Sequence, residues 1–258
     1  MSTNANTENK IVMLSQSRSV NMADDWFDIA TPDHFWITRR FTVVKSLLRG
    51  IDLAEKRVVE IGCGNGLVQR QMEDHYGIAT DGFDLNLGAL RRSVVRRSNL
   101  FYYDITELRP EFQEAYDLVI LFDVLEHIEG EIEFLEAVSF CLKRGGFLLI
   151  NVPALQTLYS AYDREAGHLR RYTISSLRRV LERAGMRTVK ESYWGWPLIP
   201  LLFVRLFYLR GVNADAVIEQ GFGTRNRHLN NLLKLWSNLE YIPNKLLGTS
   251  VMALYQKA

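Results

Sequence analysis

Nine residues, Val58-Val59-Glu60-Ile61-Gly62-Cys63-Gly64-Asn65-Gly66, constrain this chain more than any others. Val58 to Ile61 read as a buried parallel strand, because a short β-branched run is interrupted only by Glu60. Three glycines at alternate positions follow. They predict a tight strand-to-helix turn whose backbone comes close to a ligand. A helical pattern restarts over Leu67 to Glu73. Strand, glycine turn and helix together make the nucleotide-binding half of a doubly wound α/β domain. The spacing then narrows the ligand. A dinucleotide fingerprint wants a third small residue where Leu67 stands, and no G-K-[ST] follows to make a phosphate P-loop.

The next segments keep the same rhythm. Ile78 to Asn86 holds a second strand ending at Asp84, about 20 residues past the glycines, where a carboxylate can take both ribose hydroxyls. Capping the helix that starts near Leu87 is the other role open to Asp84. A third strand leads to Asp104, and Tyr116 to Asp123 is a fourth. Lys143 to Pro153 reads as a helix end, a Gly145-Gly146 turn and a fifth strand.

The pattern of Glu60 to Gly66, E-x-G-x-G-x-G, resembles motif I of class I S-adenosylmethionine (SAM) dependent methyltransferases. The resemblance implies SAM as cofactor and S-adenosylhomocysteine as product. It sets Gly62, Cys63, Gly64 and Gly66 in the cofactor loop, with Glu60 beneath it and Asp84 and Leu85 at the ribose. Asp104 and Ile105 would meet the adenine, with capping of a short turn as the other role open to Asp104, and Phe122 and Asp123 are further cofactor candidates. Cys63 reads as a small side chain, not a nucleophile.

Met186 to Tyr193 and Ser250 to Gln256 supply two more strands, and Thr173 or Ser175 caps a helix running to Ala184 before Gly185. The expected fold is α/β: a Rossmann-like, doubly wound, seven-stranded and mostly parallel sheet with its last strand antiparallel. Residues 1–20 read as a mobile arm and 21–50 as an N-terminal helical cap. Residues 51–258 form the methyltransferase domain, including a helical insertion over 194–248 near the active-site mouth.

Asp163 to Tyr172 resembles the D-x-x-x-G-H-x-R-R-Y segment of one bacterial and archaeal branch of these enzymes. Phe35 to Arg40 and the D-V-L-E-H run of Asp123 to His127 match the same branch. Members of that branch are frequently grouped with glycosyltransferases of cell-surface glycans. His168 is the candidate general base, with a structural hydrogen bond to Asp163 as its alternative role, and His127 is a second candidate. Trp36, Arg39, Arg170, Arg171 and Tyr172 are the acceptor candidates, since guanidinium forks suit anionic groups. Arg178, Arg179 and Arg183 read as a solvated helix face.

A net charge of +1 over 258 residues gives no general nucleic-acid footprint. Two cysteines imply no disulfide framework, and Met1 to Ser19 lacks the order of a signal peptide. A cytoplasmic protein is expected, with peripheral contact at the inner face of the membrane through 194–210. That run is too short, and too interrupted by Arg205, to span a bilayer. Core packing is its alternative. No ligand-type spacing calls for a metal. The expected function is methyl transfer to a hydroxyl, or less readily an amine, of a small-molecule, glycan or lipid-linked acceptor. A SAM-binding partner or sensor without catalysis is the alternative.

Overall fold

The computed structural model describes residues 11–17, 31–208 and 227–258, with the side chains of 204–208 left aside. Among these residues eight strands form one sheet: Ile11–Met13 (β1), Val58–Ile61 (β2), Thr80–Asp84 (β3), Leu100–Tyr102 (β4), Tyr116–Phe122 (β5), Leu142–Pro153 (β6), Met186–Trp194 (β7) and Ser250–Lys257 (β8). Their order is β1-β4-β3-β2-β5-β6-β8-β7. Neighbours from β1 to β6 are parallel, while β8 runs antiparallel between β6 and β7. The chain winds outward from β2 to β4 and returns to β5 beside β2. That reversal opens a crevice at the carboxyl ends of β2 and β5, where doubly wound sheets take their ligands.

β1 is the departure from the seven strands expected. It comes from the segment read as a mobile arm, of which residues 1–10 and 18–20 lie outside the described residues. It covers an edge that β4 would otherwise expose. Leu14 and Ser15 donate their amides to Tyr102 O at 3.0 and 3.2 Å, and Ser15 Oγ accepts from Asp104 N at 2.9 Å. The Gly145-Gly146 turn also differs. It lies within β6, with Gly145 at φ +72°, so the strand begins directly after the preceding helix.

The helices are Phe35–Leu48 (α1), Leu67–Tyr76 (α2), Leu87–Arg91 (α3), Glu131–Cys141 (α4), Ala161–Glu165 (α5), Ile174–Arg183 (α6), Ile199–Tyr208 (α7) and Arg227–Ser237 (α8). Alternate β5 residues serve opposite layers, as the pleat requires. Leu118 and Ile120 pack with Val43, Val44, Leu47 and Leu48 of α1. Val119 and Leu121 pack with Leu135 and Val138 of α4 and Leu177 and Leu181 of α6. The segment read as a cap is therefore one layer of the domain, as far as its described part, residues 31–50, shows. Thr173 caps α6 through a capping box with Ser176.

The insertion seats on the start of α1. Phe35 N donates to Asn230 Oδ1 at 2.8 Å, Trp236 Nε1 donates to Pro197 O at 2.7 Å, and Leu233 packs with Phe35 and Leu198. The apolar run from 194 is buried at its start and exposed in part further along. Trp194 is fully buried, whereas Trp196, Leu201 and Phe203 are each more than 40 % exposed. Residues 209–210 lie outside the described residues. Among the described residues no helix is long and apolar enough to cross a membrane.

Candidate active site

Three glycines shape the crevice. Gly62, Gly64 and Gly66 all have positive φ, at +74°, +54° and +76°, a region that costs little only without a side chain. At Gly62 space is withheld as well. A Cβ there would fall 2.3 Å from Val124 Cγ2, so the turn after β5 closes against the turn after β2. Cys63 is buried, and burial, with Asp84 and Glu60 adding, pushes its thiol well up, which suits a small packing residue.

Two carboxylates face this loop. Asp84 Oδ2 accepts from Gly64 N at 2.6 Å and Oδ1 accepts from Asn86 N at 2.7 Å. With about four acceptor sites in all, the carboxylate keeps capacity for a ligand hydroxyl. The α3 cap is Asn86, which accepts from Ala89 N, so Asp84 is not the capping residue. Glu60 is buried, with Oε2 lacking any hydrogen-bond partner. Burial pushes its carboxyl up to about 8, against the pull of Arg40 and with help from Asp84 and Asp123.

Arg40 is one residue that the sequence reading missed. It pairs with Asp123 Oδ2 at 2.8 Å and lies 5.2 Å from the centroid of the Phe122 ring. Asp123 sits at φ +55°, and its Oδ1 accepts from Asn151 Nδ2 at 2.7 Å. Asn151 Oδ1 in turn accepts from Trp194 Nε1 at 2.8 Å. A chain of polar contacts thus ties α1, β5, β6 and β7 together at the crevice.

The other cofactor candidates are placed less directly. Asp104 caps a short turn, its Oδ1 accepting from Thr106 N at 3.0 Å and from Thr106 Oγ1 at 2.6 Å. Ile105 lies in the main core and Phe122 in the core beneath α1, while Leu85 packs on the cluster of Cys63, Leu90, Leu100 and Tyr102.

The acceptor candidates separate into two groups. Arg39 is buried and paired with the buried Glu240, at 3.2 Å from Nη2 to Oε2. Glu240 also accepts from Gly195 N and Trp196 N. Arg39 is therefore a strut between α1 and the insertion, not an exposed fork, and Trp36 packs against Trp194 with ring centroids 4.3 Å apart and the planes tilted by 38°. Arg171 is likewise engaged, bonding Asp163 through Nε at 2.8 Å and Nη2 at 3.1 Å, and Ala154 O through Nη1. Tyr172 is buried and donates to Glu131 Oε1 at 2.5 Å, while Arg170 reaches Glu131 Oε2 at 2.7 Å. These contacts lock the segment in place.

His168 and His127 come together, ring centroids 4.8 Å apart. His168 Nδ1 donates to Asp163 Oδ1 at 2.9 Å, and its Nε2 lies 3.9 Å from Glu126 Oε1. Burial would raise the Asp163 carboxyl, but bonds from His168 and Arg171 outweigh it and hold it well below its usual range. Burial, with His168 adding, lowers His127 to about 4. Glu126, passed over in the sequence, is fully buried between them.

A sequence model of the methyltransferase domain matches residues 36–191, more than half of the chain. The chain belongs to the methyltransferase-domain family. A tRNA U34 carboxymethyltransferase of Pseudomonas paraeruginosa is 32% identical over 106 residues, which are 39% of this chain and 33% of that protein. A ubiquinone biosynthesis O-methyltransferase of Nitrosomonas europaea is 26% identical over 139 residues, 50% of this chain and 58% of that one. The chain thus matches a third to somewhat over half of these relatives' length. Among solved structures, phosphoethanolamine N-methyltransferase 2 of Haemonchus contortus with SAM aligns at TM-score 0.58 and 17% identity, over 90% of this chain and 59% of that one. A SAM-dependent methyltransferase from Archaeoglobus fulgidus aligns at TM-score 0.53 and 19% identity, over 86% of this chain and 94% of that one.

The methyl donor of this methyltransferase family is SAM, and the crevice fits it. The glycine cradle would admit no Cβ at Gly62, Asp84 offers acceptors for hydroxyls, and Glu60 Oε2 is buried without a partner.

Proposed function

We propose that this methyltransferase acts on a hydroxyl group of a small-molecule, glycan or lipid-linked acceptor, with His168 receiving the acceptor's proton. The observation that carries the reading is the pair His168–Asp163. A buried, ionised carboxylate holds Nδ1 as the donor, which leaves Nε2 as the basic atom. Glu60, Asp84 and the glycine loop hold the cofactor, and Arg40 fixes Asp123 at its edge. Bound there, SAM supplies an electrophilic methyl group and leaves as S-adenosylhomocysteine. Orientation of the acceptor against that group supplies much of the rate, and proton removal supplies the rest.

A lipid-linked acceptor gains support from the insertion. Leu232, Leu235 and Leu239 are 59, 69 and 65 % exposed, with Trp236 beside them. Such residues suit the headgroup boundary of a bilayer. The tRNA-acting relatives raise an RNA acceptor, but a net charge of +1 offers little to a phosphate backbone.

The test is calorimetry with S-adenosylhomocysteine, followed by a methyl-transfer screen over hydroxylated metabolites and lipid-linked sugars. Binding with turnover on a hydroxylated acceptor supports the reading. Binding with no turnover on any acceptor moves the protein to a SAM-binding partner module. No binding by folded protein overturns the reading.

A further inference from the structure

Glu126 places a carboxyl group in the interior of the site. Its side chain is fully buried, and neither carboxylate oxygen has a hydrogen-bond partner. An isolated buried carboxylate is costly unless it is neutralised, paired or bound to a cation. The cations nearby are engaged elsewhere. Arg171 makes its side-chain bonds to both oxygens of Asp163 and to Ala154 O. Arg40 is committed to Asp123.

What does face Glu126 is a pair of imidazoles. His127 and His168 each bring one ring nitrogen, and these atoms and a Glu126 oxygen all lie within 4.8 Å of one another. Both rings are oriented from behind. His168 Nδ1 donates to Asp163 Oδ1 at 2.9 Å, and His127 Nδ1 donates to Gly167 O at 3.1 Å. Each ring then keeps Nε2 as its lone-pair atom. A carboxylate or carbonyl on the far nitrogen is how ligating histidines are held in their tautomer.

We propose that Glu126, His127 and His168 form a binding site for one divalent d-block cation. Two imidazoles and one carboxylate favour zinc, cobalt, iron or manganese over magnesium or calcium, which prefer all-oxygen shells. Zinc–ligand distances of about 2.0–2.1 Å bring tetrahedral ligand atoms to roughly 3.3 Å of one another. The 3.9 Å from His168 Nε2 to Glu126 Oε1 reaches that value with a small side-chain adjustment. His127 is partly exposed and leaves an approach from solvent. Three protein ligands leave a coordination position open, which suits an acceptor oxygen. Only this last role rests on the methyl-transfer reading, for which His168 would then act as a ligand and the ion would promote loss of the acceptor's proton. Binding of the ion itself does not depend on that reading.

Purified protein stripped with a chelator is dialysed against zinc(II), desalted and analysed for bound metal, and S-adenosylhomocysteine binding is measured on the same sample. One equivalent of zinc should remain. Glu126→Gln, His127→Ala and His168→Ala should each weaken zinc binding at least about 10-fold, and Asp163→Asn by about 10- to 100-fold. Circular dichroism confirms that the variants fold. Cobalt(II) added to the intact wild-type chain gives a second measurement: visible d–d absorption should appear and be displaced by zinc. A wild-type protein that binds S-adenosylhomocysteine but retains no zinc overturns the ion site and leaves methyl transfer standing. Folded variants with wild-type zinc affinity also overturn it. Zinc held without S-adenosylhomocysteine binding would instead sustain the ion site and remove the methyl-transfer reading.

Discussion

Arg40 Nη1 lies 2.8 Å from Asp123 Oδ2, joining the first helical layer to the end of a central strand across 83 residues of sequence. The guanidinium also lowers the electrostatic cost of Glu60, where it acts against burial. Arg40→Met keeps the stem and removes the charge. It should lower stability by about 1–2 kcal/mol and weaken S-adenosylhomocysteine binding by about 10-fold or more, since Asp123 would lose the cation that holds it at the crevice. Chemical denaturation and calorimetry measure the two effects.

Gly62 and Val124 make a separable pair. Gly62→Ala must accept positive φ and a contact of 2.3 Å with Val124 Cγ2, so a loss of about 1–3 kcal/mol is expected. Val124→Ala removes the opposing methyl groups. In a double-mutant cycle it should restore part of the loss, leaving the backbone strain behind. Additive losses would show that Val124 moves aside freely.

These contacts mark where sequence reading stops. The glycine loop, Asp84 at its strand end and the alternation of strands with helices were legible because a few adjacent residues encode each of them. β1 was not, since three residues without a clear period gain their partner only from the edge of β4. Arg39 and Arg40 are adjacent in sequence, yet one helical step of about 100° turns them to different neighbours. One binds Glu240 and the other Asp123. No period in the sequence says which faces the site. Glu126 stood within a motif that was noticed, but its burial arises from the Asp163–Tyr172 segment folding over it.

Glu60 should make stability depend on pH. Its folded carboxyl is pushed from 4.5 up to about 8, so the folded state binds more protons than the unfolded state between those values. Stability from this group is complete below about pH 4.5 and is lost as pH rises through 8. Glu60→Gln removes that dependence. Relative to wild type, the variant's melting temperature should climb across this interval and level off above it. A difference that stays constant with pH would place the Glu60 carboxyl near its ordinary value.

Arg39 and Glu240 test the strut. Glu240→Ala leaves a buried guanidinium without its partner, and a loss of about 3–5 kcal/mol is expected. Arg39→Met with Glu240→Leu should recover part of it, because the unpaired charge is removed while the Gly195 and Trp196 amides still lack their acceptor. If Arg39 instead gripped the acceptor, the double variant would be stable and would show a raised KM.

His168 and Asp163 are distinguished by kinetics. His168→Ala should leave S-adenosylhomocysteine affinity near wild type and cut kcat by about 10²- to 10⁴-fold, since the ring lies beyond the glycine loop. Asp163→Asn should reduce kcat with little change in acceptor KM, because it acts by orienting Nδ1 and touches no acceptor atom. It should also lower the melting temperature, as Arg171 and the Ser160 amide lose a charged acceptor. A His168→Ala enzyme within a few-fold of wild-type turnover would return the pair to holding the loop.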